Sequence, residues 1–263
     1  MTKRYMRANQ RRKMVQEQWE TPLRFSEFCL LLLGYGEAGK SSTGNTILGR
    51  QVFGSRRTAR CVQRHREVGG QQVSILDTPG WWKHLPIEQT PELNKDEISQ
   101  SASLSVSGPV SYILVLRADC SFKEQERKAM EDNLRLLGSM VWDHSIVLFT
   151  FGDLLRDGAI EQYIECEGKA LQWVVDRCGN RYHVFNNKAK GESHQVRDLL
   201  EKIQGMIAVN SRCDDKDMQV LQEVTEQTPD RRCRDEERKM NPMMCLITVK
   251  MMKSFGSRER GDG

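Results

Sequence analysis

The sequence predicts an α/β fold with three layers, in which helices cover both faces of a mostly parallel central sheet. Two observations predict it. Five short apolar runs alternate along the chain with longer segments of helical periodicity. The first run leads into a glycine-rich loop, Gly34–Ser41, which in turn opens a predicted helix. Because parallel strands require long crossover connections, this alternation is typical of βαβ units.

The predicted strands are the apolar runs, because each is short and is bounded by polar residues. A strand that is buried on both faces of a parallel sheet has such a continuous apolar sequence instead of strict alternation. In chain order the runs are Phe28–Leu33, Val73–Leu76, Tyr112–Leu116, Ser145–Phe149 and Tyr182–Phe185.

The predicted helices lie between these strands and place their apolar residues on one face. Gly138 and the segment Cys178–Asn180 follow two of them as stop signals. The predicted bounds are Lys40–Leu48, Glu124–Leu137, Glu161–Arg177 and Val196–Val209. Strands and helices together form one predicted domain, residues 26–210.

The two ends of the chain differ in composition from this domain. Residues 1–25 form a basic N-terminal arm that we expect to be flexible and solvated, with contact to an acidic membrane or an organelle address as the alternative. Residues 211–263 are a polar extension, in which Met218, Leu221 and Val224 predict a short helix that Pro229 ends. We expect the tail beyond that helix to be disordered.

Charge and cysteine content argue against several classes of protein. The formal net charge of +4 over 263 residues gives no argument for nucleic acid as a partner, and we expect none. The eight cysteines are scattered singly, so we predict neither a disulfide framework nor a zinc site, and we expect reduced thiols in a cytoplasmic protein. No apolar run reaches the roughly 20 residues that a transmembrane helix needs.

The strongest functional pattern is G-x-x-x-x-G-K-[ST] at Gly34–Ser41. Its glycines let successive backbone N–H groups turn toward phosphate oxygens, and the helix N-terminus adds its positive dipole. Lys40 is expected to reach the β- and γ-phosphates, and the Ser41 hydroxyl to bind Mg²⁺. The alternative is a glycine turn that binds nothing. The predicted phosphate-binding residues are Gly34, Gly36, Glu37, Ala38, Gly39, Lys40, Ser41 and Ser42.

A second pattern, Asp77-Thr78-Pro79-Gly80, ends the predicted strand Val73–Leu76. Open α/β sheets bind their ligands at the carboxyl ends of the strands. There Asp77 is expected to hold a magnesium-bound water, and the Gly80 N–H to meet a γ-phosphate. A simple proline turn is the alternative for these four residues.

Two further patterns at strand ends point to the base of a nucleotide. In the segment Thr150–Asp153, the carboxylate of Asp153 is able to accept hydrogen bonds from the N1–H and the exocyclic amine of guanine, a donor pair that adenine lacks. Asn-Asn after the run Tyr182–Phe185 supplies polar groups near the base. A helix-capping aspartate and an ordinary asparagine turn are the alternatives. The predicted guanine-binding residues are Thr150, Phe151, Asp153, Asn186 and Asn187.

Taken together, these ordered motifs resemble the GIMAP family, the immunity-associated septin-like GTPases. The segment Gly39–Gly49 is similar to the family's P-loop helix, and Ser107–Pro109 is similar to its box between the third and fourth motifs. Phe149–Asp153 and Arg181–Lys188 are similar to its base-recognition segments. The resemblance spans about residues 26–210. It implies a Ras-like P-loop NTPase fold (a G domain), binding of GTP or GDP with Mg²⁺, and self-association as a homodimer or oligomer across the nucleotide face.

The chain departs from the family pattern at the switch threonine, which binds Mg²⁺ when GTP is present. That threonine is expected near Val62-Gln63, where none stands, and Thr58 is the nearest substitute. Either Thr58 serves through a shifted loop, or γ-phosphate sensing is weakened.

Two aromatic positions depart from the pattern as well. Phe151 replaces the usual basic residue over the guanine, and it is still able to stack through its ring. Trp81 and Trp82 follow Gly80, where Ras-like hydrolases keep a water-orienting glutamine, so hydrolysis is expected to be slow.

These observations together predict a slow, dimerisation-prone GTPase switch or scaffold. The sequence does not identify a catalytic residue, although His84 is close enough to the switch to be a weak candidate. One alternative is an interaction module that holds nucleotide without hydrolysing it, and a less favoured one is a P-loop protein that uses ATP. The expected location is cytoplasmic, with association with an organelle membrane left open.

Overall fold

Six strands form the sheet within the residues that the structure describes. This structure is a computed structural model, and it describes residues 27–54, 58–104, 108–155, 160–186 and 193–226. Across the sheet the strand order is β2-β3-β1-β4-β5-β6. The strands are β1 (Glu27–Leu33), β2 (Val62–Val68), β3 (Gln71–Asp77), β4 (Val110–Arg117), β5 (Ser145–Thr150) and β6 (Tyr182–Val184).

All these strands are parallel except β2, which pairs antiparallel with β3 at one edge. Gly69 and Gly70 join the two strands, and their φ angles of 60° and 80° both lie in the left-handed region. Tight hairpin turns that match the twist of paired strands need two such residues, and glycine supplies them without a steric penalty. The pairing sets Val62 opposite Asp77, so the start of β2 meets the end of β3.

The helices follow the strands in the alternation that the sequence predicts. They are α1 (Lys40–Leu48), α2 (Glu92–Ser101), α3 (Glu124–Arg135), α4 (Ile160–Glu167), α5 (Lys169–Arg177) and α6 (Ser193–Glu226). Short 3-10 turns lie at Ile87–Gln89, Ala102–Leu104, Ser139–Trp142 and Gly152–Leu154. The predicted α/β fold with a mostly parallel sheet is therefore confirmed.

Strand β1 lies inside the sheet and is buried on both faces. Leu30 and Leu32 belong to the main apolar core, whereas Cys29 and Leu31 pack with Leu76 in a second cluster. Successive side chains of a strand point to opposite faces, so this division shows that apolar side chains cover both. Each leucine buried in this way contributes about 2 kcal/mol to the free energy of folding. This packing fixes the strand from which the glycine-rich loop begins.

Two elements of the structure carry no apolar pattern that would predict them. β2 is an edge strand whose central residues, Gln63–Glu67, are exposed and polar. Helix α2 has only Ile98 and Ser101 buried. Because periodicity reports burial, it gives no signal for elements that contribute so little to the core.

Three predicted helices have different bounds in the structure, and the one predicted over Glu124–Leu137 ends at Arg135. The segment predicted as one helix, Glu161–Arg177, is divided into α4 and α5 at Gly168, where φ is 102°. The helix predicted over Val196–Val209 begins at Ser193 and continues past Asn210 to Glu226, so it also covers the residues of the predicted short helix. The compact unit that contains the sheet extends to Cys213.

The predicted basic arm (residues 1–25) and the tail beyond Glu226 lie outside the described residues. In the ranges that are described, no helix combines the length and the apolar character needed to cross a bilayer.

Candidate functional site

The carboxyl ends of the parallel strands bring most of the predicted site residues to one edge of the sheet. The glycine-rich loop follows β1, Asp77 ends β3 and Thr150 ends β5. Asn186 comes shortly after the end of β6. This edge is where open α/β sheets bind their ligands.

The loop between β1 and α1 has the backbone shape of a phosphate cradle. Gly39 adopts a φ of 98° immediately before α1 begins at Lys40. A Cβ on Gly34 would lie 2.6 Å from the backbone oxygen of Val115, so only glycine fits at the start of the loop. Gly39 has no side chain to cap the first N–H groups of α1, and such uncapped groups form anion sites at helix N-termini.

Lys40 is buried, and its ammonium group is held inside this loop. Nζ donates hydrogen bonds to the backbone oxygens of Gly34 and Tyr35, both at 3.1 Å. Lys40 is only 6% exposed, and burying an ammonium costs several kcal/mol unless polar partners compensate it. The fold therefore keeps a positive charge at the centre of the predicted phosphate loop.

Three oxygen-bearing side chains meet at the end of β3. Asp77 Oδ2 accepts hydrogen bonds from Ser41 Oγ at 2.6 Å and from Thr58 Oγ1 at 3.0 Å. The second oxygen, Oδ1, is buried and has no hydrogen-bond partner among the described residues. A buried carboxylate oxygen needs a donor or a cation. Because Mg²⁺ takes oxygen ligands of these kinds, the three residues fit that ion.

Thr58 reaches the site, although the family pattern expects a threonine further along the chain. Val62 and Gln63 belong to β2, where they pair with Asp77 and Leu76, so their backbone is fixed in the sheet. Thr58 precedes that strand and places its hydroxyl against the carboxylate of Asp77. Of the two alternatives drawn from the sequence, this geometry favours a shifted loop.

The segment that follows β3 closes against the phosphate loop. The Trp81 carbonyl accepts a hydrogen bond from the Gly36 N–H at 2.8 Å. A Cβ on Gly80 would lie 2.6 Å from the Gly36 nitrogen and 2.8 Å from Lys40 Nζ, so glycine is required for this approach. Trp81 is 2% exposed and belongs to the core, whereas Trp82 is 39% exposed. Gly80 thus lies beside the predicted phosphate-binding lysine.

Thr150 supports the phosphate loop from behind. Its hydroxyl donates to the Ala38 carbonyl at 2.8 Å and lies 3.2 Å from the Leu116 carbonyl. Its methyl group is 3.0 Å from the position that a Cβ on Gly39 would take. The sequence assigns Thr150 to guanine contact, but the structure turns it toward the loop because this last residue of β5 faces the interior. Thr150 is a structural link between β5 and the loop.

Phe151 has a cation over its ring, although its own motif position lacks one. The Arg117 guanidinium lies 4.2 Å from the ring centroid. Two hydrogen bonds to the Asp119 carboxylate, at 2.9 and 2.7 Å, hold the guanidinium in place. This pairing lowers the pKa of Asp119. A guanidinium over an aromatic face contributes about 0.5–2 kcal/mol, so Arg117 and Phe151 form one unit.

The predicted base half of the site is a pocket between two strand ends and the first turn of α6. Gly152 N–H donates to the Phe185 carbonyl at 3.0 Å, which ties the two predicted base motifs together. Asp153 is exposed on the 3-10 turn Gly152–Leu154. The structure therefore brings Asp153 and Asn186 together. The pocket has a volume of about 350 Å³ and is lined by Gly152, Asp153, His183, Val184, Asn186, His194, Gln195 and Asp198.

The remaining predicted residues are placed as follows. Glu37 is exposed on the phosphate loop with a φ of 68°, and Ser42 is exposed on the first turn of α1. His84 Nδ1 lies 2.8 Å from the buried carboxylate of Glu126. Asn187 lies outside the described residues, as does Ser107 of the predicted family box.

The sequence does not predict two residues that contact the predicted base motifs, Arg117 at Phe151 and Gln195 at Asn186. Arg117 ends β4 and belongs to none of the predicted motifs, and its position at a strand's carboxyl end is the one signal that could have pointed to it. Gln195 lies in α6, and its side-chain amide pairs with both backbone groups of Asn186. A glutamine within a helix has no sequence signature for such a contact.

Comparison with known proteins identifies a family and several relatives. The AIG1 family matches residues 28–237 of this chain. GTPase IMAP family member 8 of Mus musculus is 35% identical over 180 residues, which are 65% of this chain and 26% of that protein. Immune-associated nucleotide-binding protein 12 of Arabidopsis thaliana is 31% identical over 195 residues, 70% of this chain and 48% of that protein. This chain therefore spans about a quarter and about half of these relatives.

A solved structure shares the fold. Toc33 from Arabidopsis thaliana in complex with Mg²⁺ and GMPPNP is similar with a TM-score of 0.56 at 19% identity, over 76% of this chain and 89% of that one. The predicted resemblance to GIMAP proteins is confirmed by the family match and the named relatives. With the family's pattern matched over residues 28–237, this chain belongs to the AIG1 family.

Proposed function

We propose that this chain binds GTP or GDP together with Mg²⁺ and acts as a slow, dimerisation-prone GTPase switch or scaffold. One observation carries the proposal. The Thr150 hydroxyl supports the phosphate loop at Ala38, and the same strand end leads directly into the turn that bears Asp153. A phosphate half and a base half are thus built on one framework, which is the arrangement that a nucleotide requires.

The phosphate half would work through charge and pre-oriented hydrogen bonds. Lys40 and the first N–H groups of α1 would hold the β- and γ-phosphates. Ser41 and Asp77 would hold Mg²⁺ with either nucleotide, and Thr58 would join them when GTP is bound; the ion would neutralise charge on the phosphates. Toc33, which shares the fold, has been solved with Mg²⁺ and either GMPPNP or GDP, and this supports the assignment.

The base half would select guanine through Asp153. Its carboxylate would accept two hydrogen bonds from guanine, one from the N1–H and one from the exocyclic amine. Adenine would instead place its N1 acceptor against the carboxylate, and an unpaired polar group costs about 1–3 kcal/mol. Phe151 would stack on the base, and the guanidinium of Arg117 over its ring would stabilise the stack. Asn186 would complete the pocket.

Slow hydrolysis follows from the residues after Gly80. Trp81 is buried in the core, and Trp82 follows it at the surface. An indole has a single N–H donor and no acceptor. It therefore cannot accept a hydrogen bond from the attacking water, as the water-orienting glutamine of Ras-like hydrolases does. A partner would have to supply the missing group, and without one the nucleotide would stay bound.

Self-association across the nucleotide face is the route by which a partner would reach the site. Dimerisation is described as important for the GTPase activity of atToc33 and psToc159, components of the chloroplast translocon. In this chain Trp82 is an exposed aromatic side chain next to the segment that contacts the phosphate loop. Exposed tryptophan is enriched at protein interfaces.

A cytoplasmic location is part of the proposal. The described cysteines, Cys29, Cys61, Cys120, Cys166 and Cys178, are all free thiols, as reducing conditions favour. The basic arm would add a peripheral contact with an acidic membrane. Fractionation of cells that express the tagged chain would test both statements, and recovery in an oxidising compartment would contradict them.

Thermal unfolding with Mg²⁺ and GDP, GTP or ATP tests the nucleotide assignment. A ligand at about 100 times its Kd raises the free energy of unfolding by about 2.7 kcal/mol. With every nucleotide at the concentration set by the GDP Kd, we expect this stabilisation from GDP and GTP and a much smaller one from ATP, which would bind through its phosphates alone, and we expect Lys40→Ala to abolish it. Lys128→Ala, which removes an exposed lysine on α3, is the matched control and should respond as the wild type does. Equal stabilisation by ATP would instead favour the ATP-using alternative.

Two measurements test the switch and the hydrolysis separately. Light scattering with GDP and with a non-hydrolysable GTP analogue should show the larger species only with the analogue. Single-turnover phosphate release should be slow at low protein concentration and should rise with concentration if a second copy completes the site. If phosphate release stays at the rate of uncatalysed GTP hydrolysis at every protein concentration, the nucleotide-locked module would be favoured.

A further inference from the structure

A glutamine of α6, Gln195, holds the backbone of Asn186 at both of its polar groups. The Asn186 N–H donates to Gln195 Oε1 at 3.1 Å, and Gln195 Nε2 donates to the Asn186 carbonyl at 3.3 Å. The amide thus pairs with Asn186 as a neighbouring strand would, at a point where β6 has already ended at Val184. Gln195 is only 6% exposed, so these bonds are shielded from competing water.

Gln195 is itself fixed through its backbone carbonyl, which lies 2.8 Å from His183 Nε2. Because a carbonyl only accepts, Nε2 carries the proton, and Nδ1 is left to accept from Lys202 Nζ at 3.3 Å. The ring of Phe185 packs edge-to-face on His183 at a centroid distance of 5.4 Å. The backbone carbonyl of Gln195 thus contacts His183 in β6, and its side-chain amide contacts Asn186 just after β6, so two contacts join the first turn of α6 to this strand end.

We propose that Gln195 is a positioning residue for guanine, which fixes the Asn186 peptide so that the base pocket is already formed before the base enters. This inference rests on the proposed function. Asn186 and Gln195 line the same pocket as Asp153. The Asn186 N–H and carbonyl belong to two successive peptide units, so the two hydrogen bonds together restrict the backbone torsions of Asn186. The entropy of ordering this backbone is then lost on folding and does not weaken binding of the base.

The geometry requires the amide group of glutamine in particular. One end of the side chain accepts from an N–H and the other donates to a carbonyl, and a primary amide offers both in one plane. Glutamate would still accept from the Asn186 N–H, but it would turn a second oxygen toward the Asn186 carbonyl. Alanine would remove both of these hydrogen bonds to the Asn186 backbone.

The first test is hydrogen exchange of the Asn186 amide in the protein without nucleotide. We expect Gln195→Ala to expose this amide to faster exchange, and Gln195→Glu to keep it protected because the acceptor remains. Gln204→Ala is the matched control, since Gln204 lies on the same helix and contacts Gln71 instead of the pocket. Unchanged exchange in Gln195→Ala would overturn the pairing itself.

The second test compares the Kd for GDP with the Kd for ADP, both with Mg²⁺. Loss of two hydrogen bonds that preform the base pocket should raise the GDP Kd about tenfold in Gln195→Ala, and the ADP Kd should stay constant because ADP would bind through its phosphates. Gln195→Glu, which is isosteric, should weaken GDP in the same direction, and it replaces Gln195→Ala if that variant does not fold. Gln204→Ala should change neither Kd.

The outcomes separate this inference from the function on which it rests. If the GDP and ADP Kd values of the Gln195 variants rise by equal factors, Gln195 supports the fold in general and the positioning role is wrong. An unchanged GDP Kd, with faster exchange at Asn186, would also overturn that role while leaving the proposed function intact. A wild-type chain that binds neither nucleotide overturns both.

Discussion

Acidification should destabilise this domain through His183. Burial and, after it, the charge of Lys202 lower the pKa of His183 to about 4. In the unfolded chain the imidazole has its ordinary pKa of 6.5. Between these values the unfolded chain binds more protons than the folded one. The stabilisation is therefore fully present above pH 6.5 and is lost as the pH falls toward 4.

The two pKa values set the size of this effect. From pH 7 to pH 5, one histidine with this difference lowers the free energy of unfolding by about 2 kcal/mol, and by pH 4 the loss reaches about 3 kcal/mol. Native domains are stable by only about 5–15 kcal/mol, so the change is easily measured. Its physical causes are the burial of a charged imidazolium and, after it, the Lys202 ammonium, which the second N–H of the imidazolium would face.

Urea unfolding at pH 7, 6 and 5 measures this loss in the wild type and in His183→Gln. Glutamine keeps an amide donor for the Gln195 carbonyl but does not titrate. The other ionisable groups are common to both proteins and cancel in the difference. We expect the wild type to lose about 2 kcal/mol more than the variant between pH 7 and pH 5. Parallel pH profiles would refute the half-buried, neutral state assigned to His183.

Three further predictions concern the nucleotide site. Asp153→Asn should weaken GDP binding and favour xanthosine diphosphate, and an unchanged GDP Kd by calorimetry would contradict the base assignment. Thr58→Ala should weaken binding of a non-hydrolysable GTP analogue several-fold without changing GDP affinity. Thr58→Ser, which keeps the hydroxyl beside Asp77, should bind the analogue as the wild type does. Equal effects of Thr58→Ala on both nucleotides would argue against a switch role. Arg117→Ala should raise the GDP Kd about three- to tenfold through loss of the contact with Phe151, and Arg117→Lys should retain part of the affinity. Fluorescence titration measures both Kd values, and an unchanged Kd in Arg117→Ala would contradict the role of this contact.

The sheet is predictable from the sequence where its strands are buried on both faces. The predicted runs Phe28–Leu33 and Ser145–Phe149 differ from β1 and β5 by one residue each. Burial on both faces imposes a continuous apolar sequence, and that constraint is visible along the chain. β2 escapes prediction because its pairing with β3 depends on backbone hydrogen bonds and on the Gly69-Gly70 turn, and not on a buried side-chain face.

The candidate site is predictable only where a contact is tied to a motif. Lys40, Asp77 and Asp153 follow strands at fixed spacing, so phosphate, metal and base chemistry can be assigned to them before the fold is known. Arg117 and Gln195 act through contacts that the fold creates between distant segments. No spacing rule connects a helix glutamine to the peptide that it holds, and the pairing becomes visible only in three dimensions.

Phe151 shows how a motif position can change its residue and keep its surroundings. Its φ of 60° lies in the left-handed region, which costs a bulky residue about 1–2 kcal/mol. The chain has to turn there, because Thr150 points inward at the phosphate loop and a Cβ on Gly152 would lie 2.5 Å from Val184. Glycine would adopt this conformation at lower cost, so the backbone does not favour phenylalanine. A contact made by the side chain offsets this cost, because the Arg117 guanidinium lies 4.2 Å from the centroid of the Phe151 ring and places a positive charge beside a motif position that lacks one.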